Sequence, residues 1–285
     1  MSLFSRTIVA GAGALLAIAI STSASAQDWR GSGDGGSSSW RSHGHSKPQS
    51  DLWNFTLELR FGAYYPQIDE VFAADPKYPC GGPYQCYFGK GAQFYFGLEL
   101  DWLPVRIPYV GKIGPAFGWG FVSASAKSHS VNSADWSGGS SGWQTNTDAV
   151  TSEGTGLTIF PMHASAVLRV DEISRRTVLP IVPYGKLGFG FGTWSSGTSH
   201  GTSKIGKDDA TSAEGLSFGP HVAVGGMLGL NWLDRRSSSM ARQTTGIDQA
   251  YLFGEWMFDK LDSGFGKPAL HIGTSSWVLG LALDL

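Results

Sequence analysis

Trp277-Val278-Leu279-Gly280-Leu281-Ala282-Leu283-Asp284-Leu285 is the last stretch of the chain, and it decides the fold class. Successive side chains of a β-strand point to opposite faces. Every second residue of this stretch, from Trp277 to Leu285, is therefore a large apolar side chain on one face. The other face carries mainly small residues. A strand with one wholly apolar face needs an apolar neighbour, and in an exported chain that neighbour can be lipid.

The other end of the sequence indicates export. Arg6 precedes an apolar run from Ile8 to Ile20, and Ala24-Ser25-Ala26 follows it. A charged start, a short apolar run and an A-x-A site are typical of a secretory signal peptide. The run is shorter than the ~20 apolar residues that span a bilayer as a helix. We predict that residues 1–26 are a signal peptide and that a membrane-bound mature chain would cross with strands.

Composition limits the function classes. Charged residues make up 15% of the chain, against about 25% in an average soluble domain. The net charge of −2 and the lack of a basic patch argue against a nucleic-acid partner. Residues 27–51 are rich in Gly and Ser, and we predict a disordered periplasmic tether. His43 and His45 in this segment are too few for a metal site, so we expect neither metal nor cofactor.

Eight segments from residue 52 onward alternate apolar and small or polar residues: 54–63, 93–102, 112–121, 160–170, 186–192, 221–232, 251–258 and 277–285. A tilted strand that spans a membrane needs about 9–11 residues. The pattern predicts an all-β fold for residues 52–285, a transmembrane antiparallel up-and-down β-barrel of about eight strands.

The predicted connections alternate in length. Those at 65–92, 125–155 and 195–214 are long, whereas those at 103–110, 171–180 and 233–247 are shorter, and the one at 259–269 is intermediate. Outer-membrane barrels have short periplasmic turns and longer external loops. The alternation therefore predicts a bacterial outer-membrane location with both termini in the periplasm.

The apolar face carries bulky aromatic side chains, whereas the opposite face carries Gly, Ala and isolated charges. An eight-stranded barrel is only just wide enough inside for side chains, so we predict that the small and charged face points inward. Buried charges require partners of opposite sign. The predicted luminal charge network is Glu58, Arg60, Glu99, Asp101, Lys112, Arg169, Lys186 and Glu255. The alternative is a soluble barrel with the aromatic residues inside and the charges outside.

Two cysteines, Cys80 and Cys86, lie in the first long connection on either side of a Gly-Gly-Pro turn. An oxidising compartment favours a disulfide between them. Such a short ring would stabilise the protein by roughly 2–3 kcal/mol in the chain-entropy model and would mainly stiffen the loop.

Two features resemble known barrels. Gly280, Leu283 and Leu285 resemble the C-terminal assembly signal of bacterial outer-membrane barrels, with Leu285 in place of the usual final aromatic residue. Together with 55–66 and 96–102, this end makes the chain similar to the small OmpA-like barrels and to an uncharacterised myxobacterial-type family. The resemblance implies no catalytic residues. It implies outer-membrane lipid, lipopolysaccharide and the barrel assembly machinery as partners, and it names no extracellular ligand.

Three functions compete. The first is a non-enzymatic barrel with a side-chain-filled lumen and a structural or surface-interaction role through its long external loops. The second is a narrow gated channel. The third is a barrel-embedded lipid-modifying hydrolase, because His163-Ala164-Ser165 loosely resembles the His-x-Ser of lipid A deacylases. That family's following Asn is Ala166 here, and no acid is evident on the same face, so we expect no enzyme.

Overall fold

The computed structural model describes residues 55–72, 81–129, 150–177, 179–198, 201–205, 211–230, 247–264 and 269–285. The predicted signal peptide and tether lie outside these ranges, and so does Cys80. Within these ranges, no helix is long and apolar enough to cross a membrane.

Eight long strands form the fold: β1 Phe55–Tyr64, β2 Gln93–Trp102, β3 Gly111–His129, β4 Val150–Arg169, β5 Ile181–Thr198, β6 Glu214–Gly229, β7 Gln249–Asp259 and β8 Thr274–Asp284. Each strand pairs antiparallel with the next one in sequence. β8 pairs with β1, from Thr56 opposite Asp284 to Gly62 opposite Val278. The ring is therefore closed, and the predicted eight-stranded antiparallel barrel is confirmed.

The two ends of the barrel differ. We call the end where β1 begins and β8 ends the terminal end, and the opposite end the loop end. β3 to β6 run for 19, 20, 18 and 16 residues, whereas β1 and β2 have 10 residues each. Pairing between β2 and β3 stops at Val122, but β3 and β4 stay paired as far as His129 and Val150. Residues 123–129, 150–158 and 195–198 extend past the neighbouring strands, and we call them the projection.

The prediction that 125–155 and 195–214 are entirely loop was wrong at their ends. Ser125–His129, Val150–Thr155 and Ser195–Thr198 are strand. These segments hold Ser, Thr and Gly on both faces, so they lack the apolar alternation by which a strand is recognised in a sequence. Backbone pairing continues there without an apolar face.

Short elements connect the strands. The first connection holds a 3-10 helix, Gln67–Phe72, and an α-helix, Pro83–Phe88. A three-residue strand, Val105–Ile107, pairs with the start of β3, and a helix, Glu172–Arg176, follows β4. The remaining elements are two-residue strands: Gly201–Thr202, which pairs with the end of β5, and the pair Lys204–Ile205 and Thr211–Ser212.

The bulky apolar side chains point away from the lumen. Trp277, Leu187 and Phe94 are 68%, 67% and 66% exposed, although they lie within strands. The residues between them in sequence are buried, and these include charged side chains such as Glu58 and Arg60. The predicted orientation is confirmed, and the soluble-barrel alternative, with the aromatic residues inside, is wrong.

Candidate functional site in the barrel lumen

Five charged side chains meet halfway along the lumen, and we call them the ion cluster: Glu58, Arg60, Glu99, Lys186 and Glu255. They come from β1, β2, β5 and β7, and each is at most 2% exposed. Arg60 forms ion pairs with Glu99 and Glu255. Lys186 Nζ lies 2.8 Å from Glu58 Oε2, 2.8 Å from Glu99 Oε1 and 3.5 Å from Glu255 Oε2. Each cation therefore joins carboxylates from different strands.

Neutral side chains complete the ion cluster. The Tyr184 hydroxyl donates to Glu255 Oε2 at 2.9 Å, and His163 Nε2 lies 3.1 Å from Glu99 Oε2. Three carboxylates face two cations, so hydrogen bonds must stabilise the surplus negative charge. A buried ion without such partners would cost several kcal/mol.

Two histidines stack beside the ion cluster. The rings of His163 and His221 are 3.9 Å apart and inclined by 6°. His221 Nδ1 lies 2.6 Å from Asp259 Oδ1, so each ring has a carboxylate partner on its own side. These contacts form a continuous row of side chains from the ion cluster toward the loop end: Glu99, His163, His221 and Asp259. Asp259 is the last residue of β7.

The remaining predicted network residues lie nearer the terminal end. Arg169 Nη1 lies 2.9 Å from Asp284 Oδ1, and its Nη2 lies 3.4 Å from Asp101 Oδ2. Thr56 Oγ1 also donates to Asp284 Oδ1, at 2.5 Å. A step of two residues along a strand is ~6.6 Å, which separates Asp101 from Glu99. The predicted single network is therefore two groups, and Lys112 lines a cavity at the terminal end.

Glycines on the luminal face make room for these large side chains. A Cβ at Gly118 would lie 2.1 Å from the His163 ring. One at Gly225 would lie 2.6 Å from the Glu255 Cβ and 2.8 Å from the Tyr184 ring. The alternation of Gly with aromatic residues in the sequence thus provides an apolar outer face and a narrow inner one.

Apolar side chains fill the lumen at the loop end. Ile68, Tyr84, Leu261 and Ile272, which we call the plug, come from the first and last connections and pack in one buried cluster with luminal Tyr64. The Tyr64 hydroxyl donates to the Ile272 carbonyl. Burial raises the pKa of the Tyr84 phenol, which keeps this side chain neutral.

A buried carboxylate holds the helix of the plug. Asp69 is 6% exposed, and its two oxygens accept hydrogen bonds from the backbone N–H groups of Tyr84 and Gln85, both at 2.8 Å. These donors lie in the first turn of the helix Pro83–Phe88, where N–H groups have no partner within the helix. Asp69 thus joins the two short helices of the first connection.

The proposed hydrolase pair faces the lumen, as its position in the alternation predicted. His163 and Ser165 are 4% and 7% exposed. Ser165 Oγ has no hydrogen-bond partner among the described residues, and His163 Nε2 faces Glu99. A hydroxyl in this position is remote from the outer surface, where acyl chains would lie.

The other predicted site residues are placed as follows. Gly280 lies on the luminal face of β8, opposite Arg60 and Phe253, and a Cβ there would lie 2.0 Å from the Leu59 carbonyl oxygen. Leu283 points outward, and the Leu285 N–H donates to the Phe55 carbonyl at 2.9 Å. Cys86 lies in the helix Pro83–Phe88, but the disulfide stays a prediction because Cys80 is outside the described residues. No group of three or more potential metal ligands forms within the described ranges.

No protein-family model and no curated protein matches the chain. Solved structures similar in fold include Ail, the attachment invasion locus protein of Yersinia pestis, with a TM-score of 0.38, 10% identity and coverage of 81% of this chain and 97% of that chain. The N-terminal β-barrel domain of Pseudomonas aeruginosa OprF has a TM-score of 0.35 and 11% identity, covering 82% of this chain and 98% of that chain. The outer membrane enzyme PagL has a TM-score of 0.37 and 12% identity, covering 80% of this chain and 99% of that chain. Similarities at this level do not indicate an activity.

Proposed function

We propose that the protein is a non-enzymatic barrel of the bacterial outer membrane, with a structural or surface-interaction role through the connections and the projection at its loop end. The observation that carries the proposal is a change in chemistry along the outer face. On β3 the outward residues are apolar up to Phe121 and then become Ser123 and Ser125. The same change occurs at Thr158 on β4 and at Thr193 on β5.

The height of this apolar band supports a bilayer. On β3 it runs from Ile113 to Phe121, and on β5 from Ile181 to Phe191. At ~3.3 Å per residue and a strand tilt of about 40°, these spans rise roughly 20–25 Å along the barrel axis. Outer-membrane barrels carry an apolar band about 25 Å tall. Lipid and lipopolysaccharide are the partners that fit this surface, and the assembly machinery would recognise the C-terminal strand.

The orientation follows from the two ends. The two longest connections between strands, 65–92 and 130–149, and the projection lie at the loop end, which we assign to the cell exterior, and both chain termini then lie in the periplasm. Ser125 and Lys127 are exposed on the projection, as is Glu153 on its neighbouring strand. A polar sheet that stands clear of the lipid offers a surface to other molecules.

The filled lumen supports this role over that of a channel. The ion cluster and the plug leave their side chains almost wholly buried, so conduction would require both to rearrange. We expect no single-channel conductance for the protein in planar lipid bilayers. Regular unitary currents from purified protein would favour the gated channel instead.

The membrane assignment is tested by fractionation and by a heat-modifiability gel, in which small barrels migrate as compact species until they are heated. The decisive variants place an arginine on the outer face. Leu279→Arg lies within the apolar band, where Arg is expected to cost about 2–4 kcal/mol in a bilayer. Ser125→Arg lies on the projection and is expected to change stability by less than about 0.5 kcal/mol. If Leu279→Arg and Ser125→Arg lose the same amount of stability in vesicles, the membrane assignment is contradicted.

The orientation is tested by cysteine labelling in intact cells with a membrane-impermeant maleimide. Ser125→Cys at the loop end is expected to react in intact cells. Ser174→Cys at the terminal end is expected to react only after the outer membrane is permeabilised. The wild-type protein controls for labelling of Cys80 and Cys86. The reverse pattern would place the projection in the periplasm and end the surface-interaction proposal.

A further inference from the structure

The two stacked histidines lie between the ion cluster and the plug, and we call them the histidine pair: His163 and His221. Their ring centroids are 3.9 Å apart, and the two side chains are at most 4% exposed. One carboxylate contacts each ring, Glu99 at 3.1 Å from His163 and Asp259 at 2.6 Å from His221. The role proposed above for the loop end makes no use of these histidines.

The histidine pair has room for one proton but not for two, because two imidazolium rings at this separation repel each other in a buried site. The ionisable groups around the pair and its carboxylates are Arg60 and Tyr64 on β1, Glu99 and Tyr95 on β2, Lys186 on β5, and Asp259 on β7. Gly118 faces His163 from β3, and Thr274 of β8 lies opposite Asp259. In water, carboxylates titrate near pH 4 and tyrosines near pH 10, so between pH 7.5 and pH 5 histidine is the side chain that changes charge.

Leu261 of the plug covers the histidine pair. Gly190 lies directly opposite His163 in the pairing of β4 with β5. A Cβ at Gly190 would lie 2.8 Å from Leu261 Cδ2 and 3.4 Å from Asp259 Oδ1, so both side chains lie over this glycine, next to His163. Water can therefore reach His163 from the loop end only after Leu261 moves.

Backbone hydrogen bonds hold the last connection in this position. The Lys260 N–H donates to the Pro220 carbonyl at 3.1 Å, and the Ser263 N–H donates to the Phe218 carbonyl at 3.1 Å. The Ile272 N–H donates to the Leu261 carbonyl at 3.0 Å, which keeps both plug residues of this connection together. Exchange of these amide hydrogens reports whether the connection is closed.

We propose that the histidine pair is an acid-sensitive lock on the plug, and that a second proton on the pair releases the last connection. His221 and Asp259 are cross-strand partners in the barrel wall, so their contact persists when the connection opens. His163 is then the ring that gains a proton, because water reaches it once Leu261 moves away. The ion cluster still fills the lumen below, so release changes the surface of the loop end without forming a channel. Failure of this inference would leave the membrane assignment untouched.

The size of the effect follows from proton linkage. An exposed histidine titrates near pH 6.5, so uptake of one proton by the open form alone shifts the opening equilibrium about 30-fold between pH 7.5 and pH 5. The sign is fixed, because the form that binds more protons gains as the pH falls. The closed plug is therefore favoured above about pH 6.5 and is progressively lost below it.

The test is hydrogen exchange of the full chain, folded in detergent micelles and followed by mass spectrometry of peptides that cover residues 260–273. Each rate is divided by the intrinsic exchange rate at the same pH. Protection of these peptides is expected to fall about 30-fold from pH 7.5 to pH 5, whereas peptides from β1 keep theirs. A change of less than about threefold in residues 260–273 would overturn the proposal. An equal loss of protection in β1 would also overturn it, because it would indicate unfolding of the whole barrel.

Two variants act on the two rings independently, and each is first checked for heat modifiability. His163→Gln keeps an N–H donor for Glu99 but cannot gain a proton, so its pH dependence is expected to fall to threefold or less. His221→Phe keeps a flat ring but no second charge, so His163 can take its proton while the plug is closed, and the pH dependence is again expected to be lost. His271→Gln, in the last connection itself, is the matched control and should keep the full pH dependence of the wild type. If a folded His163→Gln or His221→Phe variant also keeps it, the histidine pair is not the lock.

Discussion

Replacement of Arg60 tests most directly whether the paired charges in the lumen stabilise the barrel. It is fully buried and pairs with two carboxylates, Glu99 and Glu255. Arg60→Met keeps most of the volume of the side chain and removes its charge. Three carboxylates then face one cation, Lys186, so the net charge of the ion cluster changes from −1 to −2.

The expected effect is large. Removal of one partner from a buried ion pair typically costs 3–5 kcal/mol, because an uncompensated charge remains. Since Arg60 compensates two carboxylates, we expect a loss in the free energy of unfolding near the upper end, about 5 kcal/mol. The triple variant Arg60→Met, Glu99→Gln, Glu255→Gln leaves one carboxylate and one cation, a net charge of zero. We expect it to recover at least half of that loss.

The assay is urea unfolding in lipid vesicles, followed by tryptophan fluorescence and by gel mobility without heating. Arg176→Met is the matched control, because Arg176 also pairs with a carboxylate, Glu172, but is 58% exposed. The control is expected to lose less than about 1 kcal/mol. If Arg60→Met is as stable as Arg176→Met, or if the triple variant is no better than the single one, then unpaired charge does not govern the stability of the lumen.

Three further variants test other parts of the structure. Gly118→Ala is expected to displace the His163 ring and to cost about 1–3 kcal/mol in urea unfolding, whereas Gly226→Ala, which has open space around its Cβ, should change stability by less than about 0.5 kcal/mol. Asp69→Ala removes the acceptor of the first-turn N–H groups and is expected to increase protease cleavage within residues 66–92 while the strands remain protected; unchanged cleavage would contradict its role in the plug. Wild type and Ser165→Ala are both expected to release no acyl chains from lipid A, and release by the wild type that is lost in Ser165→Ala would establish the hydrolase.

The sequence was sufficient for the architecture because the two faces of each strand differ so strongly. Bulky residues such as Phe94 and Trp277 alternate with small or charged ones, and an eight-stranded lumen has room only for the latter. The same alternation correctly placed Glu58 and Arg60 inside. It also placed His221 on the luminal face, yet the pairing of His221 with Asp259 was missed because no charge marks this side chain. Tyr184 lies outside the predicted segment 186–192, so its position and its bond to Glu255 were both missed.

Three features were beyond prediction from the sequence for physical reasons. Which charges meet depends on strand register and tilt, so Lys112 could not be separated from Lys186 by alternation alone. The plug comes from connections whose apolar residues, such as Ile68 and Leu261, have no periodicity. The length of the projection depends on backbone pairing in segments whose side chains are polar on both faces.

The barrel reverses the usual distribution of polarity, and this determines which contacts give it a unique structure. In the proposed bilayer, lipid tails would contact the outer face without regard to the register between strands, so apolar residues there would hold the barrel in the membrane without fixing how the strands pair. Inside, Lys186 joins carboxylates from β1, β2 and β7, and a register shift of one residue would turn each of them to the lipid. The cost of a charge in lipid then opposes every shifted arrangement. The ion cluster therefore specifies the register of the strands, even if its pairs contribute little net stability.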